Sequence, residues 1–315
     1  MKVRITRKHE VAQDICAFEM TDLAGAPLPA FSAGAHIDVY LGHGLTRQYS
    51  LCNSPNETHR YMIGVLRDPG SRGGSVAMHA LGEGSVLEIS EPKNHFPLVH
   101  GAGHSILLAG GIGVTPILCM AGQLSRTGAS FEVHYCAREA ARAAFRERFA
   151  EADMVSRARV YFDTAAIEAR IDLQAVLARP DADTHLYVCG PAGFIQAVLD
   201  TAAKNGWNTA NLHREYFAAV TQAGAVDGGF QVKLGRSGRV VDVAATQTVV
   251  EALSGCGVEV PVSCEQGVCG TCLTRVLEGE PDHRDVYLTD EERAANDQFL
   301  PCCSRARSAV LVLDL

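Results

Sequence analysis

Positive charge is in short supply: 28 Lys and Arg stand against 36 Asp and Glu, a formal net charge of −8. A phosphate backbone needs a basic face, so nucleic acid is excluded as a main partner. Long hydrophobic runs are missing too, and none approaches the roughly 20 apolar residues of a membrane-spanning helix. The basic opening MKVRITRKHE is followed by no apolar segment, so no signal peptide is expected and the cytoplasm is the default location. Internal repeats and low-complexity tracts are also absent. What remains is the composition of a soluble globular protein, 47% apolar and 20% charged. At 315 residues it is long enough for two or three domains, each with a core.

Cysteine is plentiful, with 11 in the chain. Cys16, Cys52, Cys119, Cys136, Cys189 and Cys256 are scattered, as small buried hydrophobes usually are. The other five fall between 264 and 303. An odd total without a secretory signal argues against a disulfide framework.

Residues 1 to about 100 read as short β segments broken by Gly and Pro turns, the pattern of an antiparallel barrel. From about His104 strands and helical stretches alternate, which predicts a parallel sheet covered on both faces. Helices are expected from Thr115, over Ala140–Ala152, at Asp172–Ala178 and over Ala192–Lys204. Thr221–Gly229 is small and poorly patterned, a linker. A third segment follows, with strands at Phe230–Leu234, Val240–Val243 and Ala309–Leu313. The expected domains are therefore 1–101, 102–222 and 228–315.

The strongest motif lies in the third segment. Cys264, Cys269 and Cys272 follow the C-x4-C-x2-C spacing of plant-type [2Fe–2S] proteins, with Cys302 a further 29 residues on. Gly267 and Gly270 remove Cβ atoms where the loop must turn its amides toward sulfur. Structural zinc usually takes two close Cys pairs, which fits this spacing poorly. By spacing alone, either Cys302 or Cys303 can be the fourth ligand.

Two turns in the middle segment have the form of nucleotide sites. Gly110-Gly111-Ile112-Gly113-Val114-Thr115-Pro116 and Cys189-Gly190-Pro191 each end a strand and open a helix, where ligands of open α/β sheets bind. The glycines let a ligand approach the backbone, although a sterically required turn has the same signature. The G-x-G-x-x-G dinucleotide fingerprint is not present. In the first segment, Arg47-Gln48-Tyr49-Ser50-Leu51 offers a cation for phosphate, an aromatic face and a hydroxyl on one strand. Strand alternation puts Arg47 and Tyr49 opposite Gln48 and Ser50, so a twist or bulge is expected. Arg72-Gly73-Gly74-Ser75 is a weaker anion-nest candidate.

Taken in this order, these elements resemble the phthalate dioxygenase reductase family, which includes the reductase components of vanillate-type O-demethylases. The resemblance covers essentially the whole chain. It implies a multidomain protein: an antiparallel β-barrel flavin domain, a ferredoxin reductase-like α/β domain for the nucleotide, and a β-grasp plant-type ferredoxin domain. It implies FMN and NADH as cofactors beside the [2Fe–2S] cluster, although Arg138 and Arg142 leave NADPH open. By resemblance, Arg47, Arg72, Gly74 and Ser75 serve FMN, mainly its phosphate, while Tyr49 and Ser50 border the ring system with Ser50 near N5. Thr115 and Cys189 flank the nicotinamide; Gly110, Gly111, Gly113, Gly190 and Pro191 form the nucleotide turns; Cys136 borders the nucleotide. The family's last ligand precedes an x-S-R-A segment, which selects Cys302.

A nicotinamide gives up two electrons at once and a [2Fe–2S] centre takes one, so the flavin belongs between them. The expected path is NADH to FMN to cluster to an external Rieske-type oxygenase component, with no general base or nucleophile. Other acceptors, such as a multicomponent monooxygenase or desaturase, and a non-enzymatic redox sensor are the rival readings. Glu278–Asp297 holds 8 acids and 2 arginines, either a solvated face or a steering patch for a basic partner. A monomer is expected.

Overall fold

The computed structural model describes residues 1–42, 44–68, 70, 73–217 and 228–315. Arg72 and most of the expected linker lie outside the described residues. The chain divides into two compact units, Met1–Glu215 and Tyr216–Leu315.

The first unit opens on a six-stranded antiparallel sheet. Its strands are β1 (Lys2–Ala12), β2 (Ile15–Asp22), β3 (His36–Tyr40), β4 (Thr46–Ser50), β5 (Tyr61–Leu66) and, after the short helix α1 (Gly74–Ala80), β6 (Val86–Ile89). In β1, Val3 and Ile5 alternate inward while Lys2, Arg4 and Thr6 face water; this charged outer face masks the strand in the sequence. The order is β4-β3-β6-β1-β2-β5, and an antiparallel bridge between Leu51 and Ile63 joins the two edges into a barrel. Val3, Ile5, Phe18, Ile37, Val39 and Ile63 fill it.

The α/β layer follows within the same unit: β7 (His104–Gly110), α2 (Val114–Thr127), β8 (Phe131–Ala137), β9 (Ala158–Phe162), α3 (Leu173–Val176), β10 (Thr184–Cys189), α4 (Ala192–Lys204) and β11 (Leu212–Glu215). All five strands are parallel, in the order β11-β10-β7-β8-β9. Every residue of α2 from Val114 to Ala121 is buried, because the helix lies in a core shared with Ile15, Ala17 and Cys52 of the barrel. Barrel and sheet are thereby fixed to each other, which is what positions the site between them.

The helix expected over Ala140–Ala152 does not form. Two 3-10 turns, Ala140–Arg142 and Arg146–Ala150, replace it. Three consecutive residues, Ala143, Ala144 and Phe145, are buried together, which no single helix face can provide, and Phe145 turns the chain with φ 56°. Tertiary packing overrides the high helix propensity of this Ala/Arg/Glu stretch. The stretch expected at Asp172–Ala178 shrinks to one turn, α3, capped by Asp172 accepting from the Ala175 amide.

The second unit is a β-grasp. Its elements are β12 (Phe230–Leu234), β13 (Val240–Val243), α5 (Val249–Ser254), β14 (Thr274–Glu278), β15 (Pro281–Asp282), α6 (Asp290–Ala295), β16 (Gln298–Phe299), β17 (Arg305–Ala306) and β18 (Val310–Leu313). The main sheet runs β13-β12-β18-β14-β16, with β12 and β18 parallel at its centre. Helices α5 and α6 each start on a capping box, Thr248 with Glu251 and Thr289 with Glu292. Among the described residues no helix is long and apolar enough to cross a membrane.

Candidate electron-transfer sites

In the second unit, the loop between α5 and β14 carries three of the four expected ligands, and Cys302 lies between β16 and β17. All four cysteines are buried. Among the described residues no three metal-binding side chains meet at one point. Neighbouring thiols meet instead: Cys264 hydrogen-bonds Cys269, and Cys302 hydrogen-bonds both Cys272 and Cys303. Two cysteines per iron is what a two-iron cluster requires.

The loop also supplies donors to sulfur. The Gln266 amide donates to Cys264 Sγ at 3.3 Å, and backbone bonds from Val268 and Thr271 reach Cys264 and Cys269. Thr271 Oγ1 lies 3.2 Å from Cys269 Sγ. The hydrogen bond from Cys264 pulls the Cys269 thiol down to about 5 and pushes Cys264 up. A buried, amide-lined set of four thiols fits a [2Fe–2S] cluster.

Two glycines make this loop possible. Gly267 and Gly270 both have φ near +70°; a Cβ on Gly267 would lie 2.5 Å from Cys303 Sγ, and one on Gly270 would enter the Tyr287 ring. Cys303 thus packs under the loop, with its Sγ near Leu300 O and Ser304 Oγ. The acidic segment that follows is neutralised in part, while Glu278, Asp290, Glu291 and Asp297 remain exposed. Asp282 pairs with Arg284 at 2.8 Å, Glu280 with Arg307 at 3.2 Å, and Asp285 is buried, accepting from the Tyr287 and Leu288 amides. Those three acids are held by the fold, and the exposed ones form a solvated acidic face.

In the first unit, the carboxyl ends of the parallel strands bring the other expected residues together. Register pairs Gly110 with Cys136 and Cys189 with Glu215. Gly110, Gly113 and Gly190 are needed for the contact of the two turns themselves. A Cβ on Gly113 would lie 2.5 Å from the Cys189 carbonyl carbon and 2.6 Å from Gly190 N, and one on Gly110 would lie 2.9 Å from Pro191 and Phe194. Gly111, with φ +53°, has open space where a side chain would stand. Thr115 Oγ1 donates to Ile112 O at 3.1 Å, and its methyl faces Gly64 of β5, so it braces the turn against the barrel. Burial pushes the Cys136 thiol up to about 12, so it stays neutral.

Strand β4 runs against β3 without a bulge. Arg47 and Tyr49 lie opposite Val39 and Ile37; Gln48 and Ser50 lie opposite Asp38 and His36. The Arg47 side chain crosses Gly74, where a Cβ would be 2.5 Å from its Cγ, so the strand and the start of α1 are brought together. Ser75 Oγ accepts from the Asp68 amide at 3.1 Å. Burial raises the Tyr49 hydroxyl well above its usual range.

Ser50 and Cys189, expected on different cofactors, meet at a residue that no motif pointed to. Ser50 Oγ donates to Glu215 Oε2 at 3.3 Å, and Cys189 Sγ approaches the same oxygen at 3.9 Å. Burial pushes the Glu215 carboxyl up to about 8, with the Ser50 and Cys189 bonds opposing the shift. In sequence Glu215 is one acid at the end of a four-residue strand, with no spacing to mark it.

Comparison with known proteins follows the same division. Residues 232–307 match the 2Fe-2S iron-sulfur cluster binding domain family. Residues 90–212 match the family of dimethylamine monooxygenase subunit DmmA-like N-terminal domains. The chain is 54% identical over its whole length to all of a vanillate O-demethylase oxidoreductase from Pseudomonas sp., and 55% identical over 99% of its length to 98% of one from Pseudomonas putida. The solved structure of phthalate dioxygenase reductase, described as modular for electron transfer from pyridine nucleotides to [2Fe-2S], superposes with a TM-score of 0.82 at 39% identity, covering 100% of this chain and 98% of that one. The chain belongs to the phthalate dioxygenase reductase family. As a member of that family it is an oxidoreductase, the reductase component of an oxygenase system. The barrel, the parallel sheet and the β-grasp unit are the family's flavin, nucleotide and iron–sulfur modules.

In this chain, Glu215 should make stability depend on pH. Its folded pKa lies above the ordinary carboxylate value, so between about 4.5 and about 8 the folded chain holds a proton that the unfolded chain has released. Stability should therefore fall as pH rises through that window, by at most about 1.4 kcal/mol per pH unit from this group. Glu215→Gln should flatten the slope in urea unfolding at pH 5.5, 6.5 and 7.5. An unchanged slope would place the pH dependence elsewhere.

Proposed function

We propose that the chain carries electrons from NADH through FMN to its [2Fe–2S] cluster, and from there to a Rieske-type oxygenase component of an O-demethylase acting on a methoxylated aromatic acid such as vanillate. The observation that carries this reading is the whole-length likeness, at 54%, to a vanillate O-demethylase oxidoreductase. The flavin would be held by Arg47, Tyr49, Ser50, Arg72, Gly74 and Ser75 of the domain 1–101. The nucleotide would lie on Gly110, Gly111, Gly113, Thr115, Cys136, Cys189, Gly190 and Pro191 of 102–222. Cys264, Cys269, Cys272 and Cys302 of 228–315 would hold the iron. The protein would act as a monomer in the cytoplasm.

When bound, FMN supplies the exchange between two-electron and one-electron chemistry. The chain's own residues bind, orient and exclude water. Gly113 and Gly190 lock the two nucleotide turns, Gly111 leaves open space beside its backbone, and Arg47 over Gly74 presents a cation at the start of α1. Glu215, neutral below about 8, keeps the Ser50 hydroxyl and the Cys189 thiol together without placing a charge beside a nicotinamide cation.

Anaerobic titration of purified protein with NADH tests the path. Flavin and cluster absorption should both bleach in one chain, and extracted flavin should be FMN. Bleaching without reduction of a vanillate-demethylating oxygenase, where a different oxygenase is reduced, would sink the assignment of partner. Cluster bands that do not respond to NADH would sink the path itself.

A further inference from the structure

The five cysteines between 264 and 303 differ in what iron does to them. Iron takes its ligands as thiolates, so Cys264, Cys269, Cys272 and Cys302 give up their protons when a cluster forms. The hydrogen bonds among those four thiols end with that loss. A thiol outside the ligand set keeps its proton at neutral pH, and Cys303 is that thiol.

Its sulfur is held where the proton matters. Cys303 hydrogen-bonds Cys302, the residue before it. The turn that carries both is closed by the Cys303 and Ser304 amides, which donate to Leu300 O at 3.2 and 2.9 Å. On its other side the sulfur rests on the cluster loop, where a Cβ on Gly267 would stand 2.5 Å from it. Two oxygens also lie near it, Leu300 O at 3.7 Å and Ser304 Oγ at 3.8 Å. Ser304 Oγ is already engaged, accepting from the Arg284 amide at 3.1 Å and donating to Asp285 Oδ1 at 3.5 Å. Leu300 O is neutral, whereas an iron-bound Cys302 sulfur is an anion. Hydrogen bonds to charged acceptors are about twice as strong, so the S–H turns to the sulfur.

The other three ligand sulfurs are served by the backbone. Gln266 and Val268 donate to Cys264, Thr271 to Cys269, and the Cys302 amide to Cys272. We propose that Cys303 is a positioning residue that sets its S–H on Cys302 Sγ and thereby raises the reduction potential of the cluster. This rests on the proposed electron path, in which the cluster takes one electron from the flavin side. That electron adds negative charge to the cluster, and no bond forms or breaks at Cys303. A donor on a ligand sulfur stabilises the added charge and so favours the reduced form. The side chain at this position therefore sets how far electrons pass from flavin to cluster before the partner takes them.

The test uses wild-type, Cys303→Ala and Cys303→Ser proteins loaded with flavin and cluster, with the cluster potential read by EPR-monitored redox titration. Cys303→Ala should shift the one-electron equilibrium about 3- to 10-fold toward the oxidised cluster, about 30–60 mV lower at about 59 mV per tenfold. Cys303→Ser keeps a donor and should recover at least half of that shift. Proton ENDOR of the reduced cluster should lose one D2O-exchangeable coupling in Cys303→Ala. An unchanged potential in Cys303→Ala would overturn the proposal. So would a raised one, which would show that water admitted by the smaller side chain, not the lost donor, sets the change. A Cys303→Ala protein without cluster bands would overturn it too, because the sulfur would then be a ligand or a scaffold. The electron path survives all three results. A wild-type cluster that NADH does not reduce would instead overturn the path, while its potential stays measurable with a chemical reductant.

Discussion

Cys302→Ser should lose the visible absorption and the EPR signal of the cluster, while Cys303→Ser should keep both. The adjacent thiols are equivalent by spacing and hydrogen-bond each other, and their other contacts distinguish them. Cys302 is buried and hydrogen-bonds Cys272, completing the second thiol pair. Cys303 is only partly buried and fills the space below Gly267, between Leu300 O and Ser304 Oγ. A hydroxyl in place of Cys302 removes half the ligands of one iron, whereas a hydroxyl in place of Cys303 exchanges one small group for another in a site with two polar neighbours. With Cys302→Ser, NADH should still bleach the flavin, but reduction of a one-electron acceptor such as cytochrome c should fall to the flavin-only background. Cys303→Ser should stay within about 1 kcal/mol of wild type in unfolding. A Cys303→Ser protein without cluster bands would reverse the assignment.

The second large effect is expected at Gly113. Gly113→Ala places a methyl group against the Cys189 carbonyl and Gly190 N, which are backbone atoms at the end of a central strand and cannot rotate away. Overpacking of this kind costs about 1–3 kcal/mol, and here it also pries the two nucleotide turns apart. The unfolding midpoint should drop by several degrees, at about 2–4 °C per kcal/mol, and the rate of flavin reduction at low NADH should fall more steeply than at saturation. Gly122, on the same helix α2, is the control. It meets nothing within 4 Å and lies in the helix interior, so Gly122→Ala should stabilise by about 0.5–1 kcal/mol. Equal effects at the two positions would show that helix propensity, not the turn contact, sets the response.

The iron–sulfur loop was legible because its chemistry is local: three ligands and two turn glycines fall within nine residues, and their spacing is the signal. The parallel sheet was legible for a similar reason, since each buried strand and its helix are contiguous runs. The Ala140–Ala152 stretch was not, because its conformation follows from what Ala143, Ala144 and Phe145 pack against, and propensity carries no record of that. β1 was hidden by the charges on its outer face. The acidic run over 278–297 read equally well as a solvated face or a steering patch; the structure pairs Asp282 with Arg284 and Glu280 with Arg307 and buries Asp285, but leaves Glu278, Asp290, Glu291 and Asp297 exposed.

By itself the sequence determined the order of the modules and three of the cluster cysteines, because each depends on residue type at short spacing; FMN, NADH and the choice of Cys302 came from the family resemblance. Only the tertiary structure decided that Gly113 and Gly190 serve each other as much as a ligand, and that Glu215 joins Ser50 to Cys189. It also placed His36 opposite Ser50. These pairings join residues from 14 to 165 positions apart, and strand register and turn packing, not spacing along the chain, bring them within reach.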